Sequence, residues 1–295
     1  MSVSENQLKI WAKAPSESEE TKCQNAVNSI TNAIRAKFGN QVTIFLQGSY
    51  KNRTNIKLDS DVDIVVRHDG FYFPDINWLS DQDKDIYKAS FVSSNYTYSQ
   101  FKTDIQRILE SQFGQLEVLR KNKCIKVNGN SYRVNADVIP CFVHNRYSNP
   151  TTISAKGIEL ISDSNDRVCS FPDQHYENGV QKNSETRQMF KPIVRILKRT
   201  RNELAEQGEI EIEKMPSFFL ESLVWNVLPH THFHKNTYKE AALTVSSAIW
   251  GDMRDTSKSN NYAEVSNLMW LFKGQNKRIP QHAFEFIDKT WDFIK

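Results

Sequence analysis

Apolar residues recur every three or four positions near the start of the chain and predict a long helix. The stripe consists of Cys23, Ala26, Val27, Ile30, Ala33, Ile34 and Phe38, which is the spacing of one helix face. Residues 16–20 (SESEE) supply caps and negative charge suited to a helix N-terminus, and Gly39 supplies a stop. We therefore predict a helix at residues 17–38.

The next part of the chain alternates strand-like and helix-like patterns. Residues 41–47 (QVTIFLQ) are rich in β-branched and aromatic side chains and lead into Gly48 and Ser49, which predicts a strand, a turn and a helix start. Residues 61–66 (DVDIVV) predict a second strand, and the amphipathic run at 101–113 predicts a helix packed on the sheet. Two hairpins are expected, 123–127 with 132–139 and 157–162 with 167–171.

From about residue 185 the pattern is helical throughout. The predicted helices are an apolar stripe from Phe190 to Leu204, a segment opened by Pro216 at 217–228, a stripe from Ala241 to Met253, and segments at 262–273 and 280–294. The order of elements is therefore a helix, a mixed α/β region and a helical bundle. A length of 295 residues suits one or two domains of this kind.

Composition narrows the functional class only a little. The net charge of +3 gives no global basic field that would imply non-specific nucleic-acid binding. The four cysteines form no CxxC pair and are typical of a reducing compartment. Residues 1–15 lack an apolar signal core, and no apolar run has the length needed to cross a bilayer. We expect a soluble, cytoplasmic protein without membrane association.

Three acids in strand-like contexts point to catalysis. Asp61 and Asp63 alternate with apolar residues, so both carboxylates project from one face of a strand. Such neighbours repel each other unless a divalent cation lies between them, and Mg²⁺ prefers oxygen ligands. Asp137 lies in a second apolar strand and would complete a two-metal site. That arrangement is suited to nucleotidyl transfer with release of pyrophosphate.

The turn before these acids strengthens the interpretation. An isolated Asp-x-Asp is most often a solvated strand end, because short motifs have a high false-positive rate. Here Gly48 permits close approach of the backbone to a ligand, and the hydroxyl of Ser49 with neighbouring amides is suited to terminal phosphate oxygens. The turn and the acids together favour a nucleotide site.

These features resemble the signature of the DNA polymerase beta-like nucleotidyltransferases: Gly48 and Ser49, a spacer at residues 50–60, the pair Asp61 and Asp63, and then Asp137. Within that superfamily the chain resembles the bacterial cGAS/DncV-like nucleotidyltransferases (CD-NTases) of the CdnE clade. The supporting stretches are residues 43–50 (TIFLQGSY), 135–142 (NADVIPCF), 171–176 (FPDQHY) and 217–221 (SFFLE). The resemblance covers nearly the whole chain.

The resemblance implies an α+β protein with a polymerase beta-like nucleotidyltransferase lobe, a C-terminal helical lobe, a long N-terminal helix bridging them and an active site in the cleft. We assign residues 17–175 to the first lobe and 176–295 to the second, with residues 1–16 packing on the second. The resemblance also implies that the three acids bind metal, and that Ser49, Lys198 and Ser217 contact the donor triphosphate, assisted by Gln47 and Gly48. Without the family, Lys198 would be one cation of a solvated helix face and Ser217 an ordinary helix-start residue.

Base selection is expected from the segment 175–186. In this clade an Asn favours uracil, and a Ser or Thr at the matching place favours purines. Alignment places Ser184 there, and a shift of one residue would place Asn183 there, so both are candidates. The family also contains eukaryotic relatives activated by DNA through a zinc-binding insertion. No Cys/His cluster of that spacing occurs in this chain, so we expect no DNA activator.

The leading hypothesis is a bacterial cyclic dinucleotide synthase, acting on ATP with UTP or on ATP alone, with two Mg²⁺ ions or alternatively Mn²⁺. Its product would be a second messenger in antiphage (CBASS) signalling, read by a separate effector protein, and the enzyme would be a monomer. One alternative is a synthase of linear oligonucleotides or another polymerase beta-like transferase. A catalytically silent nucleotide-binding module is an alternative of another class. The histidines at 230, 232 and 234 predict a polar loop rather than a metal site.

Overall fold

The structure is a computed structural model that describes residues 2–56, 61–92, 94–274 and 278–295. The chain forms two compact units. The sheet unit comprises Ser16–Gln47 and Ser60–Pro172, and the helical unit comprises Met1–Pro15, Gly48–Asp59 and Asp173–Lys295. The lobe boundary assigned between residues 175 and 176 stays a prediction. Residues 57–60 of the spacer before Asp61 lie outside the described residues.

A mixed sheet forms the centre of the sheet unit. Its strands are β1 (Val42–Gln47), β2 (Val62–Asp75), β3 (Val118–Arg120), β4 (Ile125–Val127), β5 (Ala136–Asn149), β6 (Thr152–Ile161) and β7 (Arg167–Ser170). They run in the order β1-β2-β5-β4-β3, with β6 paired to β5 and β7 paired to β6. The pairing of β2 with β5 is parallel and the others are antiparallel. The expected mixed α+β architecture is confirmed.

Among the described residues, the α-helices of the sheet unit are α2 (Glu17–Phe38), α4 (Asp81–Ser90) and α5 (Tyr98–Phe113). The ends of α2 agree with the sequence prediction, because a capping box between Ser16 and Glu19 fixes its start and Gly39 adopts a positive φ of 52° at its end. The face of α5 that contains Phe101, Ile105 and Leu109 is fully buried, as its apolar spacing predicts.

The helical unit contains α1 (Glu5–Trp11), α3 (Gly48–Asn52), α6 (Pro172–Glu185), α7 (Phe190–Glu206), α8 (Ser217–Asn226), α9 (Tyr238–Met253), α10 (Thr256–Ser259) and α11 (Pro280–Ile294). Its core is formed by fully buried apolar residues of several helices, among them Phe190, Leu197, Phe219 and Ile249. Within the described part of the chain, no helix combines the length and apolar character needed to cross a membrane.

Two sequence predictions of secondary structure are wrong. Residues 262–273 are not a helix: Leu271 N–H donates to Tyr262, and an isolated bridge pairs Ala263 with Trp270, which closes a turn instead. Residues 132–135 are not part of β5. The pairing of β4 with β5 ends at Val127 and Ala136, and side-chain carbonyls accept hydrogen bonds from the backbone amides of the loop. The Oδ1 atom of Asn130 accepts from Tyr132 and Arg133. The sequence also did not predict α1, α4 or α6.

Candidate active site

Two of the predicted catalytic acids lie side by side on the sheet. Asp63 of β2 is in register with Asp137 of the parallel strand β5, and also with Gln47 at the end of β1. On the other side of β5, Asp137 is in register with Lys126 of β4. Residues directly opposite each other on paired strands project to the same face. The sheet therefore presents a transverse row of Gln47, Asp63, Asp137 and Lys126.

Asp61 joins this row from the residue before β2. Its Oδ2 atom accepts a hydrogen bond from Lys126 Nζ at 2.9 Å, and its Oδ1 atom accepts one from Asn135 Nδ2 at 3.0 Å. The Asp61 side chain is 42% exposed and that of Lys126 is 26% exposed. The hydrogen bond that Lys126 donates to Asp61, together with the negative charges of Asp61 and Asp137, raises the pKa of Lys126 despite its partial burial. An internal ammonium ion thus compensates the acids.

Cys124 also contacts the row, which the sequence did not predict. Burial raises the pKa of its thiol to about 12, and the negative charge of Asp137, a hydrogen bond to Asp137 and the charge of Asp63 act in the same direction. The thiol is therefore protonated at neutral pH. It is a hydrogen-bonding neighbour of the carboxylate rather than a thiolate metal ligand.

The chemistry of these donors fits a divalent cation. Asp61, Asp63 and Asp137 supply hard carboxylate oxygens, which suit Mg²⁺ or Mn²⁺. Across the described ranges, no three Asp, Glu, His or Cys side chains are already gathered as a metal-binding group. Asp61 is turned toward Lys126 and Asn135 instead. Metal binding by Asp61 would therefore compete with these hydrogen bonds for its carboxylate oxygens.

The turn after β1 has the backbone geometry expected for close approach to a ligand. Gly48 has a φ of 68°, a left-handed conformation that glycine adopts without strain. It begins the short helix α3, and the Ser49 carbonyl accepts hydrogen bonds from the backbone amides of Thr54 at 2.9 Å and Asn55 at 3.2 Å. These bonds hold residues 49–55 as one compact segment of the helical unit.

Lys198 and Ser217 also belong to the helical unit, and each is bonded within it. Lys198 is fully buried, and its Nζ atom donates to the Thr54 carbonyl at 3.0 Å and lies 3.4 Å from the Thr54 hydroxyl. Ser217 is the first residue of α8, directly after Pro216, and its Oγ accepts from Arg201 Nη1 at 3.1 Å. Lys198 is therefore not on a solvated helix face. It ties α7 to the segment that follows Ser49.

A buried carboxylate completes this set. Glu221 of α8 is 3% exposed; its Oε2 accepts from the Thr54 hydroxyl at 2.9 Å, and its Oε1 lies 3.0 Å from His175 Nε2. Burial alone would raise the pKa of Glu221. The interactions with His175, the charge of Lys198 and the hydrogen bond from Thr54 outweigh that effect and hold the pKa below its ordinary value. Glu221 is therefore ionised at neutral pH.

The two candidate base-selecting residues have different surroundings at the end of α6. The Asn183 carbonyl Oδ1 accepts from the backbone amide of Lys191 at 3.1 Å, and its Nδ2 donates to Gln188 Oε1. The side-chain amide of Asn183 is thus used in the connection between α6 and α7. Ser184 is exposed. His230 is the first residue of a single helical turn, His230–Phe233. Its Nδ1 atom lies 3.5 Å from the carboxylate of Glu185, the last residue of α6.

The structure places the sequence-predicted site residues in two sets. Gln47 and the three acids belong to the sheet unit, whereas Gly48, Ser49, Lys198, Ser217, Asn183 and Ser184 belong to the helical unit. Sequence reasoning missed the roles of Lys126, Asn135 and Glu221. A usable signal existed for Glu221, because it follows Ser217 by four positions and so shares its helix face.

Comparisons with known proteins agree with this arrangement. The sequence model of the cGAS/DncV-like nucleotidyltransferase C-terminal helical domain matches residues 177–295. The chain is 46% identical over 294 residues to the cyclic dipurine nucleotide synthase of Elizabethkingia meningoseptica, covering 100% of this chain and 99% of that protein.

Two solved structures are similar over nearly the full length. The CdnE cyclic dinucleotide synthase of E. meningoseptica, with GTP and Apcpp, superposes with a TM-score of 0.83 at 43% identity, covering 98% of both chains. The CdnE c-UMP-AMP synthase of Rhodothermus marinus, with Apcpp and Upnpp, has a TM-score of 0.82 at 30% identity, covering 98% of this chain and 97% of that one.

The acids on the mixed sheet, the helical unit and these similarities define a nucleotidyltransferase. The chain belongs to the cGAS/DncV-like nucleotidyltransferases, within the CdnE cyclic dinucleotide synthases. The resemblance drawn from the sequence is thereby confirmed.

Proposed function

We propose that this chain joins two nucleoside triphosphates into a cyclic dinucleotide of two purines. The observation that carries the proposal is the register of Asp63 with Asp137 on adjacent strands, with Asp61 two residues before the first of them. Each of two successive transfers forms one bond between a ribose oxygen and an α-phosphorus. Each transfer breaks the bond from that phosphorus to the bridging oxygen of pyrophosphate, which leaves.

The carboxylates would hold the divalent cations. When bound, two Mg²⁺ or Mn²⁺ ions would lower the pKa of the attacking ribose hydroxyl and offset the negative charge that develops on the phosphates. Asp61, Asp63 and Asp137 are the proposed ligands, and Asp137 is also suited to accept the hydroxyl proton. Asp61 would exchange Lys126 and Asn135 for the metal.

The triphosphate of the donor is proposed to contact Ser49, Lys198 and Ser217, with assistance from Gln47 and Gly48. Support comes from the compact turn at Ser49 and the position of Ser217 at the start of α8. Lys198 donates to Thr54 in this structure, so a phosphate oxygen would join or replace the Thr54 carbonyl as its acceptor.

The preference for purines rests on Ser184. An amide supplies both a donor and an acceptor, which together match uracil, but the amide of Asn183 is occupied by Lys191 and Gln188. Ser184 is exposed and offers a hydroxyl, which makes no such demand. The name of the E. meningoseptica relative, a cyclic dipurine synthase, points in the same direction.

Product analysis tests the proposal. The protein is incubated with ATP, GTP, UTP and CTP in the presence of Mg²⁺, and the products are identified by mass spectrometry. We expect a cyclic dipurine dinucleotide and two pyrophosphates per product, and none from the double variant Asp61→Asn, Asp63→Asn. Linear products alone would overturn the cyclase proposal.

A pair of substitutions tests the base reader. Ser184→Asn is expected to increase incorporation of uracil, whereas Asn183→Ser is expected to leave the product bases unchanged. The reverse result would assign base selection to Asn183. The identity and number of metal ions, the monomeric state, the cytoplasmic location and a separate effector for an antiphage messenger stay proposals alongside this function.

A further inference from the structure

One buried polar cluster connects four segments of the helical unit, namely the stretch after α3 and the helices α6, α7 and α8. Glu221 lies at its centre, bonded to Thr54 through one carboxylate oxygen and to His175 through the other. Thr54 in turn accepts from Lys198 through its carbonyl. The exposed fractions are 0% for Thr54, 8% for His175, 0% for Lys198 and 3% for Glu221. We call these four residues the Glu221 cluster.

Each arm of the cluster belongs to a segment with a proposed role in substrate binding. The backbone amide of Thr54 is bonded to the carbonyl of Ser49, so the Thr54 arm holds the phosphate-binding turn. Lys198 is itself a proposed triphosphate contact. His175 lies in the first turn of α6, the helix that contains Ser184 near its end. Glu221 therefore connects the phosphate-binding turn to the base-selecting helix.

The energetics of the cluster argue against a role in stability alone. Burying a carboxylate and an ammonium has a large desolvation cost, and well-packed apolar residues often stabilise a fold as well as a buried ion pair does. What a fully bonded cluster adds is a fixed geometry: both oxygens of Glu221 have a partner, and each partner is on a different segment. His175 and Ser184 lie on the same helix, so a shift of the first turn of α6 would also displace Ser184.

We propose that Glu221 is a positioning residue that couples triphosphate binding to base selection. Through Thr54 it sets the turn at Ser49 and the ammonium of Lys198, and through His175 it sets the orientation of α6. The inference rests on the proposed function, because it concerns the same nucleotide. Loss of one bond of the cluster changes both the affinity for the triphosphate and the preference between bases.

Binding of non-hydrolysable ATP and UTP analogues with Mg²⁺, measured by isothermal titration calorimetry, tests the coupling. Thr54→Val removes the hydroxyl that donates a hydrogen bond to Glu221 and keeps the shape of the side chain. It is expected to weaken ATP-analogue binding about fivefold and to change the ratio of ATP-analogue to UTP-analogue affinity about threefold, magnitudes ordinary for coupled neighbours. Thr54→Ser keeps this hydroxyl and is expected to have the wild-type affinity for the ATP analogue and the wild-type affinity ratio.

Thr200→Val is the matched control, since Thr200 is fully buried in the same unit and its hydroxyl has no hydrogen-bond partner among the described residues. It should change neither value. A second measurement combines Thr54→Val with His175→Phe, which removes the ring nitrogen that bonds Glu221 and is also expected to weaken ATP-analogue binding about fivefold by itself. If both act through Glu221, the double variant binds no more weakly than about fivefold, whereas independent effects would multiply to about 25-fold.

The outcomes separate the two proposals. An unchanged affinity ratio in Thr54→Val, or multiplicative loss in the double variant, would overturn the coupling while leaving the synthase intact. A wild-type protein that binds neither analogue would overturn the proposed function itself. Glu221→Gln is expected to behave as Thr54→Val does, and the Thr54 series decides the question if that variant fails to fold.

Discussion

Lys126 is expected to compete with metal for the carboxylates, and its removal provides a direct test. In Lys126→Met the hydrogen bond to Asp61 Oδ2 is lost and a positive charge leaves the row that contains Asp137. Metal-free protein should become less stable because the acids lose their compensating cation. Affinity for a divalent cation should rise for the same reason.

The size of the effect follows from the geometry. Two unit charges separated by 2.9 Å attract by about 6 kcal/mol at an effective dielectric constant of 20. The side chains are 26% and 42% exposed, however, and partly solvated pairs of this kind contribute only up to about 1 kcal/mol. A competitor of that strength corresponds to about a fivefold difference in metal affinity.

Mn²⁺ binding measured by electron paramagnetic resonance supplies the assay, because free Mn²⁺ is counted without reference to catalysis. Lys126→Met should bind about fivefold more tightly than wild type, and its metal-free form should lose about 1 kcal/mol in urea unfolding. Lys126→Arg keeps the cation, and Lys123→Met removes an exposed lysine nearby. Equal or weaker binding by Lys126→Met, or equal tightening by Lys123→Met, would refute the reasoning.

Three further outcomes are expected. Asp63→Asn should lower the rate of product formation by about 10²–10³-fold, as loss of a charge-stabilising group does, with little change in the thermal unfolding midpoint; retained activity would remove Asp63 from the site. Because the pKa of Glu221 is held below its ordinary value, its contribution to stability is present above the pKa of the unfolded chain and is lost as the pH falls through the folded value. Urea unfolding between pH 6 and pH 3 should therefore show a steeper loss for wild type than for Glu221→Gln, and parallel curves would contradict this. Asn183→Ala should lower the free energy of unfolding by about 1 kcal/mol, since it removes the acceptor for Lys191, and urea unfolding will show whether it does.

Local signals in the sequence were sufficient for much of the fold. The ends of α2 were predicted because the capping box and the terminal glycine are local features. Apolar spacing alone predicts a helix at residues 262–273. The structure has a turn there, which is held by non-local contacts such as the hydrogen bond from the Ala263 amide to Asn226 Oδ1. The β-propensity of residues 132–135 likewise predicts a longer second hairpin arm than the structure has, because the side-chain carbonyl of Asn130 accepts from the amides of Tyr132 and Arg133 in place of strand bonds.

The candidate site divides in the same way. The sequence predicts Asp61, Asp63 and Asp137 as site residues because acidic side chains are unusual within apolar strands, and this pattern is visible without the structure. Lys126 was not, since a lysine in a short strand looks like an ordinary surface residue until its register with Asp137 is known. The sequence does not predict the burial of Lys198 either. The basic run around it suggests a solvated helix face, and its hydrogen-bond partner Thr54 is distant in sequence.

The parallel pairing of β2 with β5 also has a kinetic consequence. Asp63 and Asp137 are in register only after the chain between them, residues 64–136, has been closed into a crossover. Non-local pairing of this kind forms slowly, because the entropy of loop closure must be lost before the contacts form, whereas helices such as α2 and α7 depend on local contacts. Recovered activity therefore reports the completed sheet, and a refolding chain that has regained its helices without activity has not yet brought its acids together.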